Sequence, residues 1–363
     1  MNIREVCLLS LIDTEKGAYT NLVLKKRLAD FDSRDKNLAT NIVYGVLRHK
    51  TKIDTTIASK SKIKLNKLER HVLNILRLSI YQIIFLDKIP KEAAVFEGVN
   101  LAKKYAYKSS GFVNAILRNV KNEVFNDLTI EYSHPQWMID MWTKDYGQEK
   151  TLEILKANNE IADISFRDEE IQGLSSQKAI EILGPKPNET IIDVCAAPGG
   201  KSLYMAEKMN NRGEIISCDI HPHRVELIAK NANRKGFSII HPTLQDGRLL
   251  NKDWLHSADK VLVDAPCSGL GLIHKKPDIK WTKSLEDIKN LSNLQREILE
   301  VSSNYVKPSG KLMYCTCTIN KLENNNIIAN FLKDHKNFKL VYEEQIFPSK
   351  EYDGFYIALF ILS

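Results

Sequence analysis

The 363-residue chain has no apolar run close to the ~18 residues that cross a bilayer, which excludes a helical membrane-spanning protein. Its first residues, MNIREVCLLSLIDTEKG, put acidic side chains where a secretory signal needs a longer apolar stretch, so a cytoplasmic chain is expected. The six cysteines, at 7, 195, 218, 267, 315 and 317, include no CxxC pair of the metal-binding kind and are too sparse for a disulfide scaffold. No metal is therefore expected. The phosphate loop GxxxxGK[ST] and the dinucleotide fingerprint GxGxxG are also missing, which removes the two commonest phosphate cradles.

What is present is an ordinary globular composition, 43% hydrophobic and 27% charged, on a chain long enough for two or three domains. The charge is unevenly spread. Residues 1–120 hold 22 Lys and Arg against 11 Asp and Glu, a net +11, whereas the remainder holds 30 against 34, a net −4. A basic first third points to a module that docks on a polyanion, the plainer reading being a solvated lysine-rich surface.

Residues 1 to about 122 read as all helix: LVLKKRLADF, NLATNIVYGVLRH, HVLNILRLSIYQIIFL and FVNAILRNV carry apolar residues at three- and four-residue spacings. Asp32 to Asp35 offer caps for the second of these, and the stretch Val72 to Leu86, apolar nearly all round, is expected to be a buried central helix. Lys60, Lys62, Lys64 and Lys67 form a basic run ahead of it, an RNA-facing loop or merely a soluble one. WMIDMWTKDYG then looks helical up to Gly147, TLEILKANN adds another helical stretch, and at most one short strand is expected before SSQKAIEIL.

From residue 188 short apolar strands (TIIDVCA, EIISCDI, SIIHPTLQD, KVLVDAPC, KLMYCTCT, DGFYIALFIL) alternate with helical segments. That alternation predicts a parallel, doubly wound α/β sheet, in which ligands bind beyond the carboxyl ends of the strands. The turns after the strands are therefore where chemistry is sought. In CAAPGGK, residues 195–201, the glycines let backbone approach a ligand and the following helix offers free N–H groups. The next strand ends in Asp219, placed to accept both hydroxyls of a ribose; the third is followed by Gln245-Asp246, placed to meet an adenine; the fourth ends in Asp264. Any one of these acids could be a helix cap. Three in consecutive units, without a phosphate cradle, favour a nucleoside lacking phosphate, and S-adenosylmethionine is the common one.

Cys267 follows a proline at one strand end, and Cys317 lies in YCTCT at the next. A single cysteine is more often buried packing. Two thiols at adjacent strand ends beside a methyl donor point to attack on a carbon that is not nucleophilic by itself, such as carbon 5 of a pyrimidine, activated when a thiolate adds to carbon 6. The residues alone leave open which thiol attacks.

DVCAAPGGKS, DAPCSGLGLIHKKPDIKW and YCTCTINKLEN resemble the signature blocks of the RNA cytosine-5 methyltransferases of the NOL1/NOP2/Sun family, nearest to its bacterial Sun (RsmB)-like branch acting on 16S ribosomal RNA. GAYTNLVL, SRDKNLATNIVYGVLRH and KEAAVFEGVNLAKKYA through FVNAILRN resemble the NusB-like RNA-binding domain that precedes the catalytic domain there. The resemblance implies a NusB-like domain over 1–125, a connecting segment over 126–187 and a Rossmann-like methyltransferase domain over 188–363. It also implies that Cys317 is the nucleophile, that Cys267 helps release the product, that Asp264 holds the cytosine edge and that Lys201 lies close to donor and target. Cys195, Ala196, Ala197, Pro198, Gly199, Gly200, Lys201, Asp219, Asp246 and Asp264 would bind S-adenosylmethionine. In DNA cytosine-5 methyltransferases the Pro-Cys residue attacks, so the assignment of the two thiols rests on the resemblance.

Two departures stand out. Asn159 is followed almost at once by ISFRDEEIQGLSSQKAIEIL, so the middle of the small α/β RNA-recognition part that family members carry is missing, and Cys315 stands where the family often has serine. The first departure motivates an alternative, a non-catalytic RNA-binding or ribosome-assembly factor that retains a methyltransferase-like core. A methyltransferase acting on protein or DNA is a third reading. The expected partner is RNA, with no membrane, and the chain is expected to be a monomer.

Overall fold

The computed structural model describes residues 1–161, 163, 166–167, 170–171 and 173–363. They form two compact units, 1–140 with 276–281, and 141–275 with 282–363.

The first unit is helical: α1 (Ile3–Glu15), α2 (Thr20–Arg27), α3 (Ser33–Arg48), α4 (Lys50–Lys60), α5 (Arg70–Phe85), α6 (Lys91–Tyr105), α7 (Ser110–Arg118) and the short α8 (Leu128–Glu131). Asn2 and Glu5 close a capping box on α1, and Asp32 accepts the Asp35 N–H at the start of α3, satisfying donors that a helix start leaves open. Ala39, Ile42, Val43 and Val46 share one buried face of α3 at the spacing of a 3.6-residue helix. The run from Val72 does form the central helix: α5 touches α1, α3, α4, α6 and α7 and buries Val72, Ile75, Leu76, Leu78 and Ile80. Its one buried cation, Arg77, is held by both oxygens of Asp54, at 2.7 and 2.8 Å, and by Glu15. Of the basic run, Lys60 pairs with Glu123 at 2.8 Å, and Lys62, Lys64 and Lys67 are exposed.

One segment read within the α/β part lies in this helical unit. Lys280 is buried, and its Nζ donates to Arg48 O at 2.6 Å, while Trp281 Nε1 donates to Leu47 O at 2.7 Å.

The long helix α9 (Gln136–Asn159) is broken at Gly147, whose φ of 82° is open to glycine, as the sequence suggested. After it come two strands where at most one was expected, β1 (Phe166–Arg167) and β2 (Glu170–Ile171), paired antiparallel. The rest of that short stretch, residues 162, 164–165, 168–169 and 172, lies outside the described residues. Next come α10 (Leu174–Leu183), β3 (Thr190–Asp193), α11 (Gly200–Lys208), β4 (Glu214–Asp219), α12 (Pro222–Lys235), β5 (Ile240–Leu244) and β6 (Ala258–Asp264). The chain ends with α13 (Ile279–Thr282), α14 (Leu285–Ser303), β7 (Val306–Thr316), α15 (Asn325–Asp334), β8 (Phe338–Ile346) and β9 (Phe355–Leu362).

The seven strands β3 to β9 run in the order β5-β4-β3-β6-β7-β9-β8. The first five in that order are parallel; β9 enters antiparallel between β7 and the edge strand β8. Alternate side chains divide between two cores, as a two-residue period requires. Ile191, Leu262 and Met313 face α10, α11 and α12, and their neighbours Ile192, Val261 and Leu312 face α14 and α15. This double covering accounts for the nearly continuous apolar runs of the parallel strands.

Candidate active site

β3 lies beside β6, and the connections leaving the carboxyl ends of these two strands run in opposite directions, from β3 to β4 and from β6 to β7, which opens a crevice there. β3 ends in Asp193, and residues 194–199 turn into α11. The turn depends on Gly199 at φ 104°, where the nearest atoms to an added Cβ lie 3.6 Å away, so the backbone conformation and not lack of space demands glycine. Asn231 Nδ2 donates to Pro198 O at 2.9 Å and ties the loop to α12.

A cavity of about 320 Å³ opens at this point, lined by Cys195, Ala197, Asp219, Asp246 and Asp264 of the sequence-derived set, with Val194, Ile220, Gln245 and Ile298 among its other walls. Ala196, Pro198, Gly199, Gly200 and Lys201 shape the loop without lining the cavity. Two larger grooves lie in the helical unit, about 660 Å³ beside Lys91, Phe96 and Arg118 and about 540 Å³ beside Leu24, Lys25 and Tyr44. Neither brings strand-end carboxylates together, so the smaller cavity is the one with ligand chemistry.

Asp219 is nearly buried; its Oδ1 accepts the His221 N–H at 2.9 Å and its Oδ2 lies 3.6 Å from Arg224 Nη1. Asp246 is engaged by Arg248, whose Nη2 lies 2.6 Å from Oδ2, and that hydrogen-bonded guanidinium holds its carboxyl below the usual range. Asp264, at the end of β6, accepts Lys201 Nζ at 2.5 Å and the Cys315 thiol at 3.5 Å. Burial alone would lower the Lys201 ammonium, yet the adjacent Asp264 carboxylate holds it above the usual lysine value. The same ammonium lies 5.5 Å from the centre of the Phe355 ring.

Parallel pairing of β6 with β7 brings the two thiols together. Ala265 N–H donates to Cys315 O at 2.9 Å, and just beyond, Cys267 Sγ lies 3.1 Å from Cys317 Sγ. Both are partly accessible, whereas Cys7, Cys218 and Cys315 are buried. The hydrogen bond to Cys317, then burial, pushes the Cys267 thiol well above its ordinary value, so it keeps its proton at neutral pH. Cys315 and Cys195 are raised as well, by burial and then by neighbouring aspartates.

Sequence reasoning missed three groups. Asp193 is fully buried, accepts the Ser202 hydroxyl at 2.6 Å, and is pushed up to about 7 by burial. Asp353 joins His274 and Lys275 at 3.2 and 2.6 Å. Glu323 is completely buried among Ser268, Gln295 and Asn320. An acid inside an apolar run was the only available signal, and only for Asp193. Among the described residues no group of His, Cys, Asp and Glu could hold a metal ion, and no helix is long and apolar enough to cross a membrane.

Comparison with known proteins places these features. The family model for 16S rRNA methyltransferase RsmB/F matches residues 180–361, the NusB family model residues 1–122, and the ferredoxin-like domain of RsmF/B-like methyltransferases residues 134–174. The probable ribosomal RNA small subunit methyltransferase B of Bacillus subtilis (strain 168) is 35% identical, covering 93% of this chain and 90% of that protein. The ribosomal RNA small subunit methyltransferase B of Photorhabdus laumondii is 29% identical, covering 95% and 94% respectively. Among solved structures, PH0851 is 23% identical, covers 99% of both chains and has a TM-score of 0.80. A methyltransferase homolog protein from Pyrococcus horikoshii is 23% identical, covers 65% of this chain and 98% of its own, and has a TM-score of 0.56. The two structural likenesses speak to the fold, an all-helical NusB domain followed by a Rossmann-like methyltransferase domain.

Proposed function

Because this chain belongs to the 16S rRNA methyltransferase RsmB/F family, whose members depend on S-adenosylmethionine, we propose that it methylates carbon 5 of a cytidine in 16S ribosomal RNA through a covalent adduct on Cys317. The observation that carries this reading is the pair of thiols 3.1 Å apart, at the ends of strands adjoining a cavity lined by carboxylates.

The cavity suits S-adenosylmethionine by its chemistry. Asp219 can accept the ribose hydroxyls, Ile220 and Ile298 offer apolar walls to a purine, and Gln245 and Asp246 offer it polar groups. When bound there, S-adenosylmethionine supplies a methyl group on a positively charged sulfur. Cys195, Ala197 and Asp264 would hold its amino-acid end, on a loop shaped by the rest of residues 195–201; Asp264 would also face the cytosine edge, and Lys201 fixes that carboxylate.

The base must leave its stack to reach the crevice. The Cys317 thiolate then adds to carbon 6, forming a C–S bond and moving the electrons of the 5,6 double bond onto carbon 5. Once carbon 5 carries the methyl group, its proton passes to water. The electrons of that C–H bond restore the double bond and expel the Cys317 sulfur as a thiolate. Cys267, protonated and in contact with that sulfur, donates a hydrogen bond to the thiolate as it leaves.

The net +11 on residues 1–120, with exposed Lys62, Lys64 and Lys67, supports docking of the helical domain on RNA. On this reading residues 1–125 form the docking domain, 126–187 a shortened RNA-recognition segment and 188–363 the catalytic domain. The shortening leaves a second reading, an RNA-binding assembly factor without turnover; the paired thiols and the Lys201–Asp264 pair favour the enzyme, because a binding factor needs neither.

The deciding experiment is incorporation of labelled methyl from S-adenosylmethionine into unmodified small-subunit ribosomal RNA, followed by digestion to nucleosides. A 5-methylcytidine peak that disappears with Cys317→Ser is expected. Donor binding without incorporation into RNA, free or in an assembling particle, would sink the enzymatic reading.

A further inference from the structure

The Cys267 and Cys317 loops are joined by one buried carboxylate. Glu323 stands just before α15, is fully shielded from solvent, and sits in the polar run NKLENNN, which reads as an ordinary solvated loop. Its Oε1 accepts the Ser268 N–H at 2.8 Å and Gln295 Nε2 at 2.9 Å, and its Oε2 accepts the Ser268 hydroxyl at 2.5 Å and Asn320 Nδ2. Ser268 follows Cys267. Its hydroxyl also lies 2.9 Å from Thr318 Oγ1, and Thr318 follows Cys317. Asn320 Nδ2 donates to that same Thr318 oxygen at 3.0 Å, and Gln295 Nε2 donates to Pro266 O at 2.8 Å, just ahead of Cys267. The glutamate backbone is fixed too, by Tyr314 OH donating to its carbonyl at 2.7 Å and by its own N–H donating to Asn320 Oδ1 at 3.0 Å.

A carboxylate away from water is costly unless its lone pairs are filled, and here four donors fill them. Those donors come from the loops after β6 and β7 and from α14, so the charge can be satisfied only while the three elements keep their present spacing. That spacing also keeps the two sulfurs in contact.

We propose that Glu323 is a positioning residue that sets the distance between Cys267 and Cys317, and so governs release of the methylated base more than donor binding. The inference rests on the reading above, in which Cys317 attacks and Cys267 assists its departure. The negative charge of Glu323 also helps keep the Cys267 thiol protonated, in the state that donates to a leaving thiolate. Replacing Glu323 with alanine removes the acceptor that the four donors share and frees the loops. Replacing it with glutamine preserves one acceptor oxygen for Ser268 and Gln295 but sets an amide NH₂ against that of Asn320, so an intermediate result is expected.

The test uses the full chain and two readouts. The first is capture by phenylarsine oxide, which takes two thiols at bonding distance, forming two As–S bonds and releasing water, with Cys267→Ala as the negative control. The second is kcat, the KM for S-adenosylmethionine and the amount of protein–RNA adduct resistant to denaturant. Glu323→Ala should lose arsenical capture and lower kcat by about tenfold or more, with adduct accumulating and the donor KM nearly unchanged. Glu323→Gln and Ser268→Ala should fall between it and the parent, and they carry the test if the alanine variant does not fold. Parent-like capture and kcat in all three variants would overturn the proposal. If the parent captures the arsenical yet makes no 5-methylcytidine, the cytosine reading fails and the spacing role of Glu323 is judged on capture alone.

Discussion

Lys201 Nζ lies 2.5 Å from Asp264 Oδ2, joining the first turn after the glycine loop to the end of β6. The lysine side chain is only 13% exposed, so the pair is worth more than a surface ion pair, and loss of the cation would strand a carboxylate at the cavity wall. Lys201→Ala should lower kcat/KM by about a hundredfold and the stability of the α/β unit by about 1–3 kcal/mol. Lys201→Arg should not restore activity, because the larger, planar guanidinium does not fit the largely enclosed place of a compact ammonium held against Asp264. Steady-state kinetics and thermal melts of both variants check this.

Asp193 gives the stability of the same unit a pH dependence. Burial pushes its carboxyl up to about 7 in the folded chain, against ~3.9 for an unperturbed aspartate. Between those values the folded chain keeps a proton that the unfolded chain has released, so its contribution is full below about pH 4, is lost as pH rises to about 7, and is constant above. Asp193→Asn has no proton to lose. Relative to the parent the variant should therefore gain on the order of 4 kcal/mol between about pH 4 and pH 8. Denaturant melts at several pH values measure it, and a difference that stays constant with pH would show that Asp193 ionises normally.

The parts of this molecule legible in sequence are those written in local pattern. The 3.6-residue spacing marked α3 and α5, and the acids closing apolar runs marked Asp219 and Asp264, because the middle of a parallel strand buried on both faces disfavours a carboxylate. What escaped depends on partners distant in the chain. β8, FKLVYEEQI, carries Lys339, Glu343 and Glu344 because it is an edge strand with one wet side, and its runs are too polar to read as a strand of a parallel sheet. The antiparallel entry of β9 beside β7 is a pairing choice that no local period records. Glu323 and Asn320 lie in a stretch that composition assigns to solvent, and their burial follows from the folding of α14 and the Cys267 loop over them. Lys276 to Trp281 belong to a block whose resemblance is to the catalytic domain, yet they pack in the helical unit.

The contact between Cys267 and Cys317 predicts different consequences for removing each thiol. Without Cys317 no adduct forms and turnover ceases. Without Cys267 the attack remains possible but the departing sulfur loses its hydrogen-bond donor, so Cys267→Ala should accumulate a protein–RNA species visible on a denaturing gel, at a turnover reduced by about tenfold or more. The double variant should show no such species. A Cys267→Ala protein that traps no RNA under conditions where the parent methylates would count against this division of labour.

The loop that carries Cys267 is also fixed from its far side, by close approach of backbone to backbone. A Cβ on Gly271 would meet Gly354 O at 1.9 Å and Gly354 C at 2.5 Å, atoms that cannot swing aside as a side-chain tip can. Gly354 N–H donates to Gly271 O at 2.9 Å, and Gly271 N–H to Cys317 O at 3.1 Å, so the same residue links the two thiol loops to the start of β9. Gly271→Ala must push these segments apart, and overpacking of this kind costs about 1–3 kcal/mol. The methyl-transfer rate should fall with it, since the displacement acts between Cys267 and Cys317. Gly111→Ala is the contrast: that glycine, in α7, has nothing within 4 Å of an added Cβ, and alanine there should leave activity unchanged and raise stability by roughly 0.5–1 kcal/mol. Parallel melts and initial rates of the two variants separate crowding at the site from a general response to lost glycine. Equal behaviour of the pair would mean that the Gly271–Gly354 contact can relax without moving the thiols.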